Sequence, residues 1–316
     1  MAKSLSQVLM RDIMASKPVK FVIGPSRKEF FAPANAFTEI SPALRILITG
    51  SKSDSIVDAV VLNDINEEDF LNLCEYAYSS DYKEPEANDP PPKVPFRPKG
   101  DAAKAYGNDL NQQSLFLFND CRERRKVIQE WHNKYGKPPR KNIREANYSY
   151  GFQRYKDWTE TLLRHVKMYI IANKYDVGDL RSLARFYLLW RLYGFVDTWD
   201  SIPALGKLVR YVYENTQEHD ELRGLISSYV ALKSESLFLH PHMQSVRDDY
   251  PKFCSDVLKS TTERLVRELQ VVNEGLTQLK RKNEELEEKN GSKRSKIVRE
   301  EIGLVEDDSE SSTQKK

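Results

Sequence analysis

Near its start the chain shows the two-residue apolar period that is typical of a β-strand with one buried face. Val19, Phe21 and Ile23 are each separated by a single residue. The segment 24–26, Gly-Pro-Ser, supplies turn residues, and a second strand-like run, Glu-Phe-Phe-Ala, follows over 29–32. Two short strands joined by a turn predict a β-hairpin.

Two helices, a third strand and a further helix are predicted after the hairpin. A short helix is expected over 34–40. Ser41 precedes a proline and a helical apolar pattern. We predict that a helix starts there, because serine caps a helix and proline fits its first turn. The apolar run 59–62 predicts a short buried strand. Asn66 is followed by three acidic residues, which favour the positive N-terminal end of a helix.

The pattern changes after Tyr82. Residues 83–161 are proline-rich at first and then basic and aromatic, a composition that indicates a largely disordered insert. From Leu162 apolar residues recur at intervals of three and four, and helical patterns continue to residue 255. From Gly291 the chain is charged, serine-rich and aperiodic, so we expect a disordered tail.

The most regular apolar pattern lies between residues 256 and 290. Its apolar residues alternate at spacings of four and three, which is the pattern of a two-stranded coiled coil. Asn283 occupies an a position, where paired amides satisfy each other and favour a dimer. Lys282 and Glu287 occupy flanking g and e positions and carry opposite charges. The predicted contact stripe, called the heptad seam below, consists of Leu258, Leu265, Leu269, Val272, Leu276, Leu279, Asn283 and Leu286.

An alternative for the same segment is a single amphipathic helix that packs on its own domain. Thr262 fills one a position and offers little apolar surface there, and Gly275 weakens a helix by about 1 kcal/mol. The repeat nevertheless spans four heptads, which favours the coiled coil. Both interpretations stay open from the sequence.

Composition limits the class of protein. The chain has 316 residues, and 49 basic against 47 acidic residues leave a net charge of +2, which excludes a uniformly basic nucleic-acid coat. No apolar stretch approaches the ~20 residues that a membrane-spanning helix needs, and no signal peptide is recognised. Cys74, Cys121 and Cys254 are odd in number and share no metal-binding spacing. We expect a reduced, intracellular protein, without a membrane partner.

The basic and aromatic residues at 119–156 raise the possibility of nucleic-acid binding, since cations neutralise phosphates and rings stack on bases. No known RNA-binding or zinc-finger spacing accompanies them, so a solvated insert is the preferred interpretation and nucleic acid is not an expected partner. Basic clusters at 280–282 and 293–296 resemble a bipartite nuclear-import signal. The sequence leaves nucleus and cytoplasm open.

No catalytic or metal-binding constellation emerges from the sequence. His240 and His242 with Cys254 lack a fourth ligand, so a surface turn is the preferred interpretation of 240–242. The common nucleophile, phosphate-loop and zinc-protease motifs are absent. We therefore predict a protein that is not an enzyme and that has no metal, cofactor or catalytic residue.

Several blocks of the chain resemble the BTB/POZ domain, specifically its fungal branch. They are VKFVIGPSRKEF at 19–30, SPALRILITG at 41–50, VVLNDINEEDFLNLCEYAYSSDY at 60–82 and HVKMYIIANKYDVGDLRSLA at 165–184. The block LVRYVYENTQEHDELRGLISSYVA at 208–231 also resembles the helical extension of those proteins. The blocks occur in the family's order, and the resemblance extends over residues 19–82 and about 162–255.

The resemblance implies a non-catalytic protein–protein interaction or adaptor protein that forms a homodimer. Two alternatives stay open. One is a substrate adaptor of a cullin-type ubiquitin ligase, with a cullin as partner; the other is a nuclear nucleic-acid-associated protein that uses the insert. We predict an α+β fold, with a BTB/POZ-like small sheet flanked by a helical body, a helical extension and a C-terminal coiled coil. The predicted parts are the first BTB/POZ segment at 17–82, the insert at 83–161, the closing helices and extension at 162–255, the coiled coil at 256–290 and the disordered tail at 291–316.

Overall fold

The computed structural model describes residues 10–50, 57–85, 157–195, 201–232, 237 and 240–310. The chain divides into two compact units, Met1–Ser260 and Thr261–Lys316. The basic–aromatic insert, apart from its two ends, lies outside the described residues, as does the end of the predicted tail from residue 311.

The described part of the first unit combines a small sheet with many helices. In chain order its elements are α1 (Met10–Ala15), β1 (Pro18–Ile23), β2 (Lys28–Pro33), α2 (Ala34–Thr38), α3 (Pro42–Thr49), β3 (Val60–Leu62), α4 (Glu67–Ser79), α5 (Thr159–Lys174), α6 (Gly178–Gly194), α7 (Ile202–Asn215), α8 (Glu221–Ala231) and α9 (Pro241–Asp249). The last helix, α10 (Pro251–Glu310), begins in the first unit and continues through the second.

The described strands form one mixed sheet in the order β2-β1-β3, so the predicted α+β class is confirmed. Strand β1 pairs antiparallel with β2, with Phe21 opposite Phe30, and parallel with β3, with Phe21 opposite Val60. Gly24 turns the hairpin at φ +64, and a Cβ atom there would lie 3.1 Å from the carbonyl oxygen of Ile65. Glycine suits this position because it has no Cβ atom and tolerates positive φ.

The predicted helix starts at Ser41 and Asn66 are confirmed. The Ser41 hydroxyl accepts a hydrogen bond from the Leu44 N–H at 3.0 Å and donates one to the carbonyl of Tyr175. The Asn66 side-chain oxygen accepts from the Asp69 N–H at 2.8 Å. Each cap satisfies a backbone donor that the first turn of a helix leaves unpaired.

The core is built from both sides of the insert. Phe37 and Phe70 lie against Phe21, with ring centroids 4.8 Å and 5.1 Å from it. Helices α5 and α6 contribute buried residues to the same apolar cluster, among them Leu162 and Leu188. Sequence segments before residue 86 and after residue 156 thus share one core.

The structure differs from the sequence analysis at three places. Helix α1 precedes the predicted first element and buries Ile13. The segment after His240 is helix α9 rather than a surface turn, because Pro241 fits a first helical turn and His240 caps it. Helix α10 continues to Glu310, where we expected a disordered tail from Gly291; the lysines, arginines and glutamates of that stretch are good helix formers.

Candidate interaction surface

The first turns of α10 are anchored in the core of the first unit. Phe253 and Val257 are buried. The ring of Phe253 lies 5.4 Å from that of Tyr213 on α7, and the Tyr213 hydroxyl donates to Asp256 Oδ2 at 2.8 Å. Burial and the nearby carboxylate of Asp256 both raise the pKa of Tyr213, so the hydroxyl keeps its proton and remains a donor. These contacts fix which side of α10 faces the core.

The heptad seam begins on another side of the same helix. Val257 is 2% exposed, whereas its neighbour Leu258 is 68% exposed. Consecutive residues on an α-helix point about 100° apart, since a turn takes 3.6 residues. The core-facing side and the seam are therefore separate faces of α10 from the first residue of the seam.

All eight predicted seam residues lie on α10 in one stripe. The apolar members are 47% to 68% exposed within one chain; they are Leu258, Leu265, Leu269, Val272, Leu276, Leu279 and Leu286. Asn283 is also exposed, as are Lys282 and Glu287 beside it. Large apolar side chains repeated along one helix face are what a partner helix buries in a coiled coil.

A second apolar surface lies on the outer face of the sheet. Phe31 pairs with Lys20 and Val61 pairs with Val22, and Lys20 and Val22 share the face of β1 that is opposite to Phe21. Phe31 and Val61 are 69% and 46% exposed. The sequence analysis missed this surface. Side chains alternate between the two faces of a strand, so a strand that turns Phe30 inward also turns Phe31 outward.

A network of charged and polar side chains joins the end of the first core segment to the helices after the insert. Glu84 Oε1 lies 2.9 Å from His165 Nε2 on α5, and Glu84 Oε2 pairs with Arg191 on α6. The Tyr82 hydroxyl lies 2.8 Å from His165 Nδ1. Tyr187 on α6 donates to Asp81 at 2.7 Å. We call this set the Glu84 network.

Burial and charge act against each other in the Glu84 network. Burial by itself would raise the pKa of Glu84, but the hydrogen bonds and charges of His165 and Arg191 outweigh it and lower the pKa to about 2. Burial is the largest effect on His165 and lowers its pKa, since a fully buried ring disfavours the charged form. A neutral ring can accept the Tyr82 proton at Nδ1 and hold its own proton at Nε2, facing Glu84. The sequence analysis missed the network because its bonded partners are up to 107 residues apart in sequence.

The structure gives the candidate metal ligands other roles. His240 is buried, and its Nδ1 accepts the N–H of His242 at 3.1 Å, so His240 caps α9. The thiol of Cys254 lies 3.7 Å from the carbonyl oxygen of Arg247. Within the described residues no three histidine, cysteine or acidic side chains are grouped as a metal site needs. No described helix is both long and apolar enough to cross a membrane.

No protein-family model, curated protein or solved structure matches this chain. The BTB/POZ resemblance therefore stays a prediction that depends on the sequence blocks given above. The exposed stripe on α10 is the feature from which a function can be inferred.

Proposed function

We propose that this protein is a non-enzymatic interaction or adaptor protein that self-associates, with a BTB/POZ-like core and a C-terminal coiled coil. The single observation that carries the proposal is the exposed heptad seam on α10. Seven large apolar side chains at heptad spacing stay about half exposed in one chain. A second helix would bury them.

The energetics favour a partner for the seam. Burying one leucine or valine side chain is worth about 1.5–3 kcal/mol relative to leaving it in water. Part of that gain is already present in one chain, since these side chains are only 47% to 68% exposed there. The rest, summed over seven side chains on each of two helices, opposes the entropy lost on association.

The core provides a second self-association element in this proposal. The order of its elements, a hairpin, two helices, a strand and a helix, followed after the insert by further helices, supports the BTB/POZ resemblance. Met14 on α1 and Ile46 and Leu47 on α3 are exposed apolar residues that a dimer of the core would bury. Two linked contacts strengthen each other because each raises the effective concentration of the other.

Light scattering on the full-length chain at micromolar concentration tests the proposal. We expect the mass of two chains. A monomer over the whole concentration range would overturn self-association and with it the proposed function. Affinity purification of the full-length protein then identifies what the core binds.

A further inference from the structure

We propose that the seam pairs two copies of this chain in parallel and in register, so that each residue of the heptad seam meets its own counterpart. The inference rests on the proposed self-association through α10 and adds its orientation. Three features of the described helix carry it: the polar position within the seam, the charges beside it and the residues at which the seam ends.

The polar position distinguishes the two orientations. Every d position within the heptad seam is apolar; these positions are Leu258, Leu265, Val272, Leu279 and Leu286. Asn283 occupies an a position. In a parallel pair a residues face a residues, so the two Asn283 amides donate to and accept from each other. In an antiparallel pair a residues face d residues, so each amide would face leucine or valine wherever it meets a d position of the heptad seam. A buried amide without a hydrogen-bond partner is unfavourable.

The charges beside the seam agree with the parallel orientation. Lys282 at g and Glu287 at e are five residues apart, the spacing at which a g residue meets the e residue of a parallel partner. Both side chains are exposed and available for that contact. An antiparallel pair brings g against g and e against e, and this attraction is lost.

The residues after the seam define where the parallel pairing ends. Asn290 occupies the next a position, where it too would find its own counterpart. Lys293 then occupies a d position, and Lys289 at g would meet Arg294 at e of the partner, a pair of like charges. Helix α10 continues beyond this point, but the paired seam ends near Asn290.

Parallel pairing determines what kind of partner the dimer suits. Both chains enter the seam at its Leu258 end, so the dimer carries two copies of whatever recognition surface the preceding residues form. A protein that itself carries two copies of a recognition surface would engage both at once, and the second contact would form at high effective concentration. Such a bivalent protein would bind the dimer more tightly than it would bind a single copy.

Disulfide trapping in the full-length chain tests the orientation. The background carries Cys74→Ala, Cys121→Ser and Cys254→Ser and must keep the mass of the wild-type protein. Leu265→Cys and Leu286→Cys are then made singly; the two sites lie 21 residues, or about 32 Å, apart along the helix. Parallel, in-register chains bring like d positions within disulfide range, so each variant is expected to form a linked dimer under mild oxidation.

Arg281→Cys and Glu288→Cys, at outward f positions, are matched controls that should stay unlinked.

Zero-length carbodiimide cross-linking of the unmodified chain supplies a second measurement if the cysteine-free background fails to fold. In a mixture of ¹⁴N- and ¹⁵N-labelled chains, a mixed-isotope Lys282–Glu287 link is expected. Light scattering could show a dimer while the Lys282–Glu287 link is absent and the two cysteine sites do not both form disulfides. That result would overturn the parallel orientation and leave self-association intact. A monomer would overturn both, and a mass of three or four chains would overturn the two-stranded pairing alone.

Discussion

Ser41 shows how much one buried hydroxyl contributes to this fold. It accepts from the Leu44 N–H and donates to the Tyr175 carbonyl, so it caps α3 and links it to the end of α5. We expect Ser41→Ala to lower the free energy of unfolding by about 1–3 kcal/mol, because the cap is lost and a buried carbonyl loses its donor. Urea unfolding measures the change. The exposed Ser255→Ala is the control, expected within about 0.5 kcal/mol of wild type; equal effects of the two substitutions would contradict the assigned role.

The Glu84 network makes stability depend on pH in a definite direction. The folded-state pKa of His165 is lowered below the unfolded-state pKa of about 6.5. At pH values below about 6.5 the unfolded chain therefore binds more protons than the folded chain, and the free energy of unfolding decreases as the pH is lowered. The folded-state pKa of Glu84 is lowered to about 2. Its contribution to stability is therefore present above about pH 4.3 and is lost as the pH falls from there toward 2. Acidification thus lowers the stability of the fold first through His165 and then through Glu84.

We expect His165→Gln to remove the first of these losses. Between pH 7.5 and 5.5 the free energy of unfolding of the wild type should fall more steeply than that of the variant, by up to about 1.4 kcal/mol per pH unit for the one proton involved. Urea unfolding at several pH values measures both slopes. Gln217→Asn, which changes no titratable group at an exposed position, should keep the wild-type slope. Parallel curves for wild type and His165→Gln would show that the pKa of His165 is the same in the folded and the unfolded chain, and would contradict this account.

At the scale of single elements, α10 has two faces that a substitution can separate. Replacing Leu269 and Leu276 by lysine would place unpaired ammonium groups within the paired seam, which is costly enough to separate the two helices. We expect the double variant to lose at least tenfold in self-association, while the core, with its own buried residues, keeps its thermal unfolding transition. Sedimentation and circular dichroism measure the two properties.

The matched control for the seam adds the same charge one position further along the helix. Gln270→Lys with Thr277→Lys changes exposed b positions, which lie outside the seam. This pair should associate as the wild type does. If both double variants weaken association alike, net charge rather than the seam is responsible.

The elements that the sequence predicts are those with local signals. Ser41 before Pro42 and Asn66 before three acids predict helix starts, because a cap needs only neighbouring residues. The short α1 has few residues from which a period can be read, and α9 exposes most of its side chains, so neither shows a clear apolar period. The parallel pairing of β3 with β1 depends on a partner almost 40 residues away, which no local pattern specifies. The heptad seam could be predicted because its repeat lies within one helix; its pairing stays a prediction.

At the scale of the whole molecule, the insert interrupts the sequence of a core that its two sides build together. Deleting residues 86–112 should change the melting temperature by no more than about 2 °C, since the entropy of closing a loop grows only with the logarithm of its length. Differential scanning calorimetry of the full-length and shortened chains measures the change. A lost or much lowered transition would show that the deleted residues belong to the folded core.

The Glu84 network has a further consequence for the proposed dimer. Its contacts join residues 81–84 to α5 and α6 through side chains, so they hold equally well whether the two parts belong to one chain or to two. Residues 10–85 and 157–310 expressed as separate polypeptides should therefore reassemble into one core. In a pair of intact chains, the first part of each copy can complete the core of the other, which is the exchange known as domain swapping.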